Sequence, residues 1–184
     1  MPHGLLPASG LSGVLPPLDK CASPSWFRAA EGVRSAWPCG ESPFGRTPSR
    51  GGSAAQKAGI RYERKALSAL SKALPDVEQS KWFKFSDATK AFRFCQVDAL
   101  LHTEALTVIF EVKTRFTSDA WFQLRQLYEP VVRKALYPKS FALVIICKHF
   151  DPAAPFPEPV QHINEGTLRE LQTLSAIGVL SWKL

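Results

Sequence analysis

The chain has 184 residues, a formal net charge of +7 and four cysteines. This length allows one globular domain, and the positive charge favours contact with a phosphate backbone without requiring it. The cysteines do not have the spacing of a zinc site or a disulfide framework, and no apolar run is long enough to cross a bilayer, so we expect a cytoplasmic protein without membrane contact.

Residues 1–55 differ in composition from the rest of the chain. They contain most of the glycines and more than half of the prolines, in runs such as Val14-Leu15-Pro16-Pro17. Because they show no sustained helical or strand period, they are predicted to form a mostly disordered leader before a domain at 56–184. One alternative is that Trp26, Phe27 and Trp37 dock on the domain as a short helix. Another is that the leader is an upstream extension without a native role.

A first helix is predicted at 57–74, because apolar residues recur there at steps of three and four. These are Ile60, Leu67, Leu70 and Leu74. Glu63 occupies the one position in this stripe that is not apolar. A carboxylate on a buried helix face costs several kcal/mol unless it is paired or binds a metal ion, so Glu63 is a candidate functional residue. The alternative is that Glu63 lies at the edge of the stripe and reaches water.

Strands are predicted at 78–85, 94–101 and 107–113. If the chain reverses tightly at Glu104 and Ala105, Asp98 lies opposite Glu111, with Cβ atoms about 5 Å apart. Side chains alternate along a strand, so Gln96, Asp98 and Leu100 should share one face, and Lys113 should share the face of Glu111. Two carboxylates this close repel each other unless a cation lies between them, and a divalent metal ion would meet that need.

Two other interpretations of this hairpin remain open. Glu111 and Lys113 can belong to the solvated edge of an amphipathic hairpin. Glu-Ala is also not a favoured pair for a two-residue turn, and a slip of one residue would turn Asp98 away from Glu111.

Aromatic and basic residues alternate in 81–85 and 92–94, and again at Arg115 and Phe116. Such runs can stack on bases and contact phosphates. The alternative, which occurs more often, is a strand core flanked by solvated lysines.

A second helix is predicted to begin near Ser118 or Asp119, either of which can cap it. Its apolar positions are Leu124, Leu127, Tyr128 and Val131. Pro130 lacks an N–H group and is expected to kink this helix. The apolar run 141–147 predicts a strand buried on both faces. A proline-rich loop at 152–159, a short helix at 167–176 and a final strand at 178–182 complete the predicted α/β order.

The sequence resembles the PD-(D/E)xK, or restriction-endonuclease-like, nuclease superfamily. The similarity lies in Gly59-x3-Glu63 on a helix, Asp98 on a strand, and Glu111-Val112-Lys113 on the next strand. In particular it resembles small phage or prophage nucleases in which a Gln-Leu-Arg-x-Leu-Tyr-x-Pro-Val helix, here beginning at Gln123, follows the catalytic strand. The resemblance covers about 56–148 and implies a mixed central sheet flanked by helices in the order α-β-β-β-α-β.

Two features depart from the superfamily pattern. Val97 replaces the proline that gives the motif its name. The Gln-x3-Tyr pair of related exonuclease-type members is matched by Gln123 and Tyr128 with one residue too many between them.

The resemblance implies a Mg²⁺-dependent nuclease that hydrolyses phosphodiester bonds, with Mn²⁺ as a possible substitute and DNA a more probable substrate than RNA. Asp98, Glu111 and the Val112 carbonyl would bind the metal ion. Glu63 would complete the metal shell through water or bind a second ion. Lys113 would orient or help to deprotonate the attacking water. The implied substrate contacts are Gln123, Gln126, Tyr128 and Arg115.

A second interpretation is a nucleic-acid-binding module on the same fold that has lost catalysis. Motifs do not determine the strandedness of the substrate or whether it is cut internally or from an end. A homodimer is plausible, because cutting both strands of a duplex commonly uses two sites.

Overall fold

The computed structural model describes residues 32–40, 42–44, 52–88, 90–150, 160–164 and 179–183, which form strands and helices. The strands are β1 (Ser35–Cys39), β2 (Glu78–Ser86), β3 (Phe92–His102), β4 (Leu106–Arg115), β5 (Ser140–His149), β6 (Val160–Ile163) and β7 (Val179–Lys183). The helices are α1 (Ala54–Ala73), α2 (Ser118–Phe122), a π-helical segment (Gln123–Tyr128) and α3 (Glu129–Leu136). The loop predicted at 152–159, the helix predicted at 167–176, and Trp26 and Phe27 lie outside the described residues.

The described strands form one seven-stranded sheet in the order β1-β2-β3-β4-β5-β7-β6. The pairs β1–β2, β2–β3 and β3–β4 are antiparallel, whereas the pairs β4–β5, β5–β7 and β7–β6 are parallel. The predicted α/β fold with a mixed sheet flanked by helices is therefore confirmed.

Helix α1 begins at Ala54, three residues before the predicted start. The Gln56 N–H donates to Ser53 Oγ, and the Ser53 N–H donates to Gln56 Oε1. This reciprocal capping box satisfies two N–H groups that would otherwise lack partners at the helix start.

The predicted apolar stripe of α1 is correct only in its second half. Leu67, Leu70 and Leu74 are buried, but Ile60 is 48% exposed and Glu63 is also exposed. The first half of the helix lies beside a cleft at the ends of β4 and β5, where Thr114 belongs to the wall. The sheet does not cover Ile60 and Glu63 there.

The hairpin between β3 and β4 has the predicted register. Ala99 pairs with Phe110 and His102 with Thr107. The Thr103 N–H donates to the Leu106 carbonyl, which closes a two-residue turn at Glu104 and Ala105. This register excludes the slipped hairpin, and its extension by one residue puts Asp98 opposite Glu111.

The second predicted helix is divided into three parts. The N-cap residue is Thr117, without a side-chain cap, so the predicted caps Ser118 and Asp119 are wrong. Both lie inside the first turn because Thr117 already has extended backbone angles. In an α-helix the Pro130 ring would meet the carbonyl four residues earlier, and the wider turn of the π-helical segment relieves this clash. The helix thus contains a π-helical segment directly before Glu129 and Pro130.

Strand β1 lies within the segment predicted to be a mostly disordered leader. It pairs antiparallel with β2, and Trp37 is on this strand and not on a short helix. The strand contains Pro38, which cannot donate to a ladder and is tolerated at the edge of a sheet. This edge position explains why the segment lacks the regular alternation of an interior strand.

Strand β5 is buried along most of its length on both faces, as predicted, whereas β6 was not predicted. One core cluster contains Phe83, Ile109 and residues of α2 to α3, and the other contains Phe110 and residues of α1. The sheet therefore has a helical layer on each face. No described helix is long and apolar enough to span a membrane.

Candidate functional site

The backbone pairing of β3 is interrupted at Asp98. The register with β2 passes from Gln79–Ala99 directly to Lys81–Val97, and Ser80, which would face Asp98, has a positive φ of 54°. A positive φ is unusual for a residue other than glycine and marks local strain. The Asp98 side chain instead accepts a hydrogen bond of 2.7 Å at Oδ2 from the Val112 N–H.

The interruption also changes the alternation predicted for β3. Val97 and Leu100 pack in the same core cluster, although an odd separation should place them on opposite faces. The prediction that Gln96, Asp98 and Leu100 share one face is therefore wrong for Gln96, which alternates with Cys95 and Val97, whereas Asp98 and Leu100 both follow the register of β3 with β4. The irregularity at Asp98 allows its carboxylate to reach across to β4.

Glu111 is a carboxylate inside the protein. It is 1% exposed, and neither carboxylate oxygen has a well-aligned hydrogen bond within the described part of the chain. Oε1 forms an ion pair with Lys113 Nζ. Burial and the nearby Asp98 charge raise the pKa of Glu111 to about 8, against the opposing effect of Lys113. The alternative of a solvated hairpin edge is wrong for Glu111.

Lys113 is a cation held by the surrounding acids. Burial lowers its pKa, but Glu111, Asp98 and Glu63 raise it, and the net direction is upward from 10.5. Lys113 therefore carries a positive charge at neutral pH. Its side chain is 35% exposed, so the ammonium group lies between the buried Glu111 and solvent.

Glu63 is near this cluster but is not buried within it. Partial burial, followed by the Asp98 charge, raises its pKa, while Lys113 and Arg64 lower it. Among the described residues, no group of three or more His, Cys, Asp or Glu side chains is arranged to hold a metal ion. The structure thus brings Asp98, Glu111 and Lys113 into direct contact and leaves Glu63 at longer range.

The π-helical segment positions Gln123 and Tyr128 together. Gln123 Nε2 donates to the Tyr128 hydroxyl, and Tyr128 is 3% exposed. Burial, followed by the charges of Glu111 and Asp98, raises the pKa of Tyr128 well above its usual value, and the π-helical segment packs against β3 and β4. A π-helix has i→i+5 hydrogen bonds and a wider turn than an α-helix, so residues five apart lie close together on its surface. The extra residue between Gln123 and Tyr128 is accommodated by this wider turn.

Two predicted substrate contacts do not reach the cluster. Arg115 is exposed at the end of β4, where its backbone pairs with His149. Gln126 lies between Gln123 and Tyr128 in the π-helical segment, and no described side-chain contact connects it to the acids. Its position three residues after Gln123 turns it away from the common side, since that side repeats after five residues.

The sequence analysis missed a basic cleft next to Glu63. The cleft has a volume of about 340 Å³ and is lined by Ala58, Arg61, Tyr62, Lys65, Thr114 and Lys148. None of its three cations forms an ion pair with another described residue. The Tyr62 hydroxyl is buried and has no hydrogen-bond partner among the described residues, and burial raises its pKa to about 12. Arg61 and Lys65, one helical turn apart and flanking Glu63, were the signal in the sequence.

The fold and the site define an α/β protein with two adjacent carboxylates, a charged lysine and a basic cleft at one end of its sheet. Comparisons of the chain with protein families, curated proteins and solved structures found no match. The arrangement can bind a cation between Asp98 and Glu111 and an anion near Lys113.

Proposed function

We propose that the chain is a metal-dependent nuclease of the restriction-endonuclease-like type, acting on DNA more readily than on RNA. The observation that carries this proposal is the Glu111 carboxylate, buried beside Asp98 with oxygens that lack aligned hydrogen bonds. Burying two neighbouring carboxylates is costly unless a cation compensates for them. Lys113 supplies one positive charge, which balances only one of the two carboxylates when both are ionised.

The donor atoms suit a hard divalent ion. Asp98, Glu111 and the Val112 carbonyl would hold Mg²⁺, with Mn²⁺ as a substitute, because carboxylate and carbonyl oxygens are the ligands these ions prefer. Glu63, exposed and electrostatically coupled to Asp98, would act through a water molecule. A bound Mg²⁺ supplies Lewis-acid stabilisation of phosphate oxygens and activates a coordinated water.

The residues of the chain itself have separate tasks. The Lys113 ammonium cannot accept a proton, so it orients the attacking water and offsets negative charge on the phosphate. Val112 fixes Asp98 through its N–H group. Gln123 and Tyr128 are hydrogen-bonded to each other on the π-helical segment, which packs against β3 and β4 and would form a wall of the site.

The basic cleft supports the proposal, because phosphates on either side of the reacting bond need cationic partners. Arg61, Lys65 and Lys148 line this cleft next to Glu63 and Thr114. A nucleic-acid backbone that passes through the cleft would place another of its phosphates near Lys113.

We expect Arg61→Ala and Lys65→Ala each to weaken DNA binding and to reduce the slope of log affinity against log salt by about 0.7 to 0.9, because each removes one phosphate contact. The measurement is fluorescence anisotropy of labelled DNA in EDTA from 50 to 300 mM salt. Lys139→Ala is the control, since Lys139 is exposed beside the start of β5, away from the cleft. An unchanged slope in both cleft variants would contradict the assignment.

The nuclease itself is tested by incubating purified protein with plasmid and single-stranded DNA in Mg²⁺, in Mn²⁺ and in EDTA. We expect cutting with either metal ion and none in EDTA. Salt-sensitive binding without cutting under all conditions would indicate the inactive binding module. The absence of both binding and cutting would reject the nucleic-acid function.

A further inference from the structure

Five aromatic side chains lie together on one face of the antiparallel edge of the sheet. We call them the aromatic surface: Trp37, Phe44, Trp82, Phe92 and Phe94. Ring centroids are 6.4 Å apart for Trp37 and Phe92, and 5.9 Å for Phe44 with both Trp82 and Phe94. The proposed hydrolysis at Asp98 and Glu111 uses none of them.

Alternation along the strands determines which face carries these rings. Ala36, Phe83 and Cys95 belong to the core cluster under α3, so their neighbours in β1, β2 and β3 point to the opposite face. Helix α1 packs on that opposite face against β4, and its hydrogen bonds to β2 are made by Gln79, three residues before Trp82. The aromatic surface is therefore not covered by a described helix.

The rings are open to solvent to a degree that is unusual for large apolar side chains. Trp37 is 48% exposed, Phe92 is 59% exposed and Phe44 is 61% exposed. Contiguous exposed apolar patches commonly mark binding sites. In the segments where aromatic and basic residues alternate, Phe83 and Phe85 thus belong to the core, whereas Phe92 is exposed.

A cation accompanies the exposed rings. Lys84 Nζ lies 4.1 Å from the centroid of the Phe92 ring. Aromatic faces combined with basic side chains are the arrangement that binds single-stranded nucleic acid, because bases stack on the rings while lysines contact phosphates. This charge argues for a polyanionic strand as the occupant.

Strand β3 leads from the aromatic surface to the acidic cluster. Phe94 is four residues before Asp98, a distance of about 13 Å along a strand. Glu63 is electrostatically coupled to Asp98 and lies on α1, the helix that packs on the same face as the rings. Because Glu111 and Lys113 alternate with Phe110 and Val112, they point to the other face, so the rings lie at the same end of the sheet as the cluster but on its opposite face.

We propose that the aromatic surface stacks the unpaired bases of a single-stranded nucleic acid, which is the substrate of the site at the same end of the sheet. This inference rests on the proposed nuclease function and specifies its substrate class. A duplex conceals the faces of its bases, so the surface can act only on single strands or on unpaired regions.

The test uses the full chain in EDTA, so that binding is measured without cleavage. The probes are a labelled twelve-nucleotide dT strand and an abasic strand with the same number of phosphates, followed by fluorescence anisotropy. We expect the dT strand to bind at least about tenfold more tightly than the abasic strand. Trp37→Ala and Phe92→Ala should each weaken dT binding about tenfold and leave abasic binding unchanged.

The matched control is Ile60→Ala, because Ile60 is 48% exposed, as Trp37 is, but lies on α1. Phe92→Tyr keeps the ring and should retain dT binding. Equal affinity of the wild-type protein for dT and abasic strands would overturn the inference. It would indicate that the aromatic surface binds a protein segment instead. Cleavage is assayed separately in Mg²⁺, so a protein that stacks dT but cuts nothing would reject the nuclease and not the stacking surface.

Discussion

We expect Asp98→Asn to lower metal-dependent cleavage about 1000-fold, since one charged metal ligand contributes several kcal/mol to stabilising the transition state. The substitution should not unfold the protein. The amide oxygen of asparagine can still accept the hydrogen bond of the Val112 N–H, which is 2.7 Å from Asp98 Oδ2. Removing one negative charge also relieves its repulsion of Glu111, whose pKa the Asp98 charge raises.

The measurement combines single-turnover cleavage of labelled DNA in Mg²⁺ with urea denaturation of the same protein. Asp76→Asn is the control, because it makes the same chemical change at an exposed turn between α1 and β2. A variant with wild-type cleavage would remove Asp98 from the site. A variant that loses cleavage only because it is unfolded would be recognised from the denaturation curve.

The central hairpin was predictable from the sequence because its register depends on local features. The turn at Glu104 and Ala105 and the alternation of β4 were enough to place Asp98 opposite Glu111. The two acids would be unexplained in an ordinary hairpin core, which made them visible as a candidate site. The prediction needed no information about the other elements of the fold.

The environment of Glu63 was not predictable in the same way. Periodicity reports the direction of a side chain around the helix, and Glu63 does lie near the direction of the buried stripe. Its exposure depends on where α1 stops touching the sheet, which is a tertiary property. The contact between α1 and the sheet ends at the cleft lined by Tyr62 and Thr114.

The π-helical segment and strand β1 show two other limits of the sequence analysis. The extra residue between Gln123 and Tyr128 looked like a mismatch, whereas Pro130 in the next turn favours the wider helix that accommodates it. Strand β1 is short, contains Pro38 and is held by pairing with β2. Its own sequence carries little strand signal, so its partner decides its conformation.

Glu111 connects the proposed function to stability. A carboxyl whose pKa is raised by burial is protonated in the folded chain at a pH where the unfolded chain is ionised. Without a metal ion, folding therefore disfavours the ionised form of Glu111, which is the form that would bind Mg²⁺. Since a ligand that binds only the folded state stabilises it, Mg²⁺ should reverse this penalty where Glu111 is ionised.

We expect the free energy of unfolding in EDTA to fall by a few kcal/mol as the pH rises from about 4.5 to about 8, the interval between the ordinary and folded pKa of Glu111. In this interval the native state binds the proton that the unfolded state has lost, so stability decreases with pH. The raised pKa of Lys113 contributes no slope there, because it acts only above 10.5. Glu111→Gln should flatten the dependence of the free energy of unfolding on pH, and it should abolish stabilisation by Mg²⁺ at pH 8. The control Glu104→Gln, at the exposed turn, should change neither. Urea denaturation at several pH values measures this, and an equally steep slope in Glu111→Gln would show that another group carries the proton.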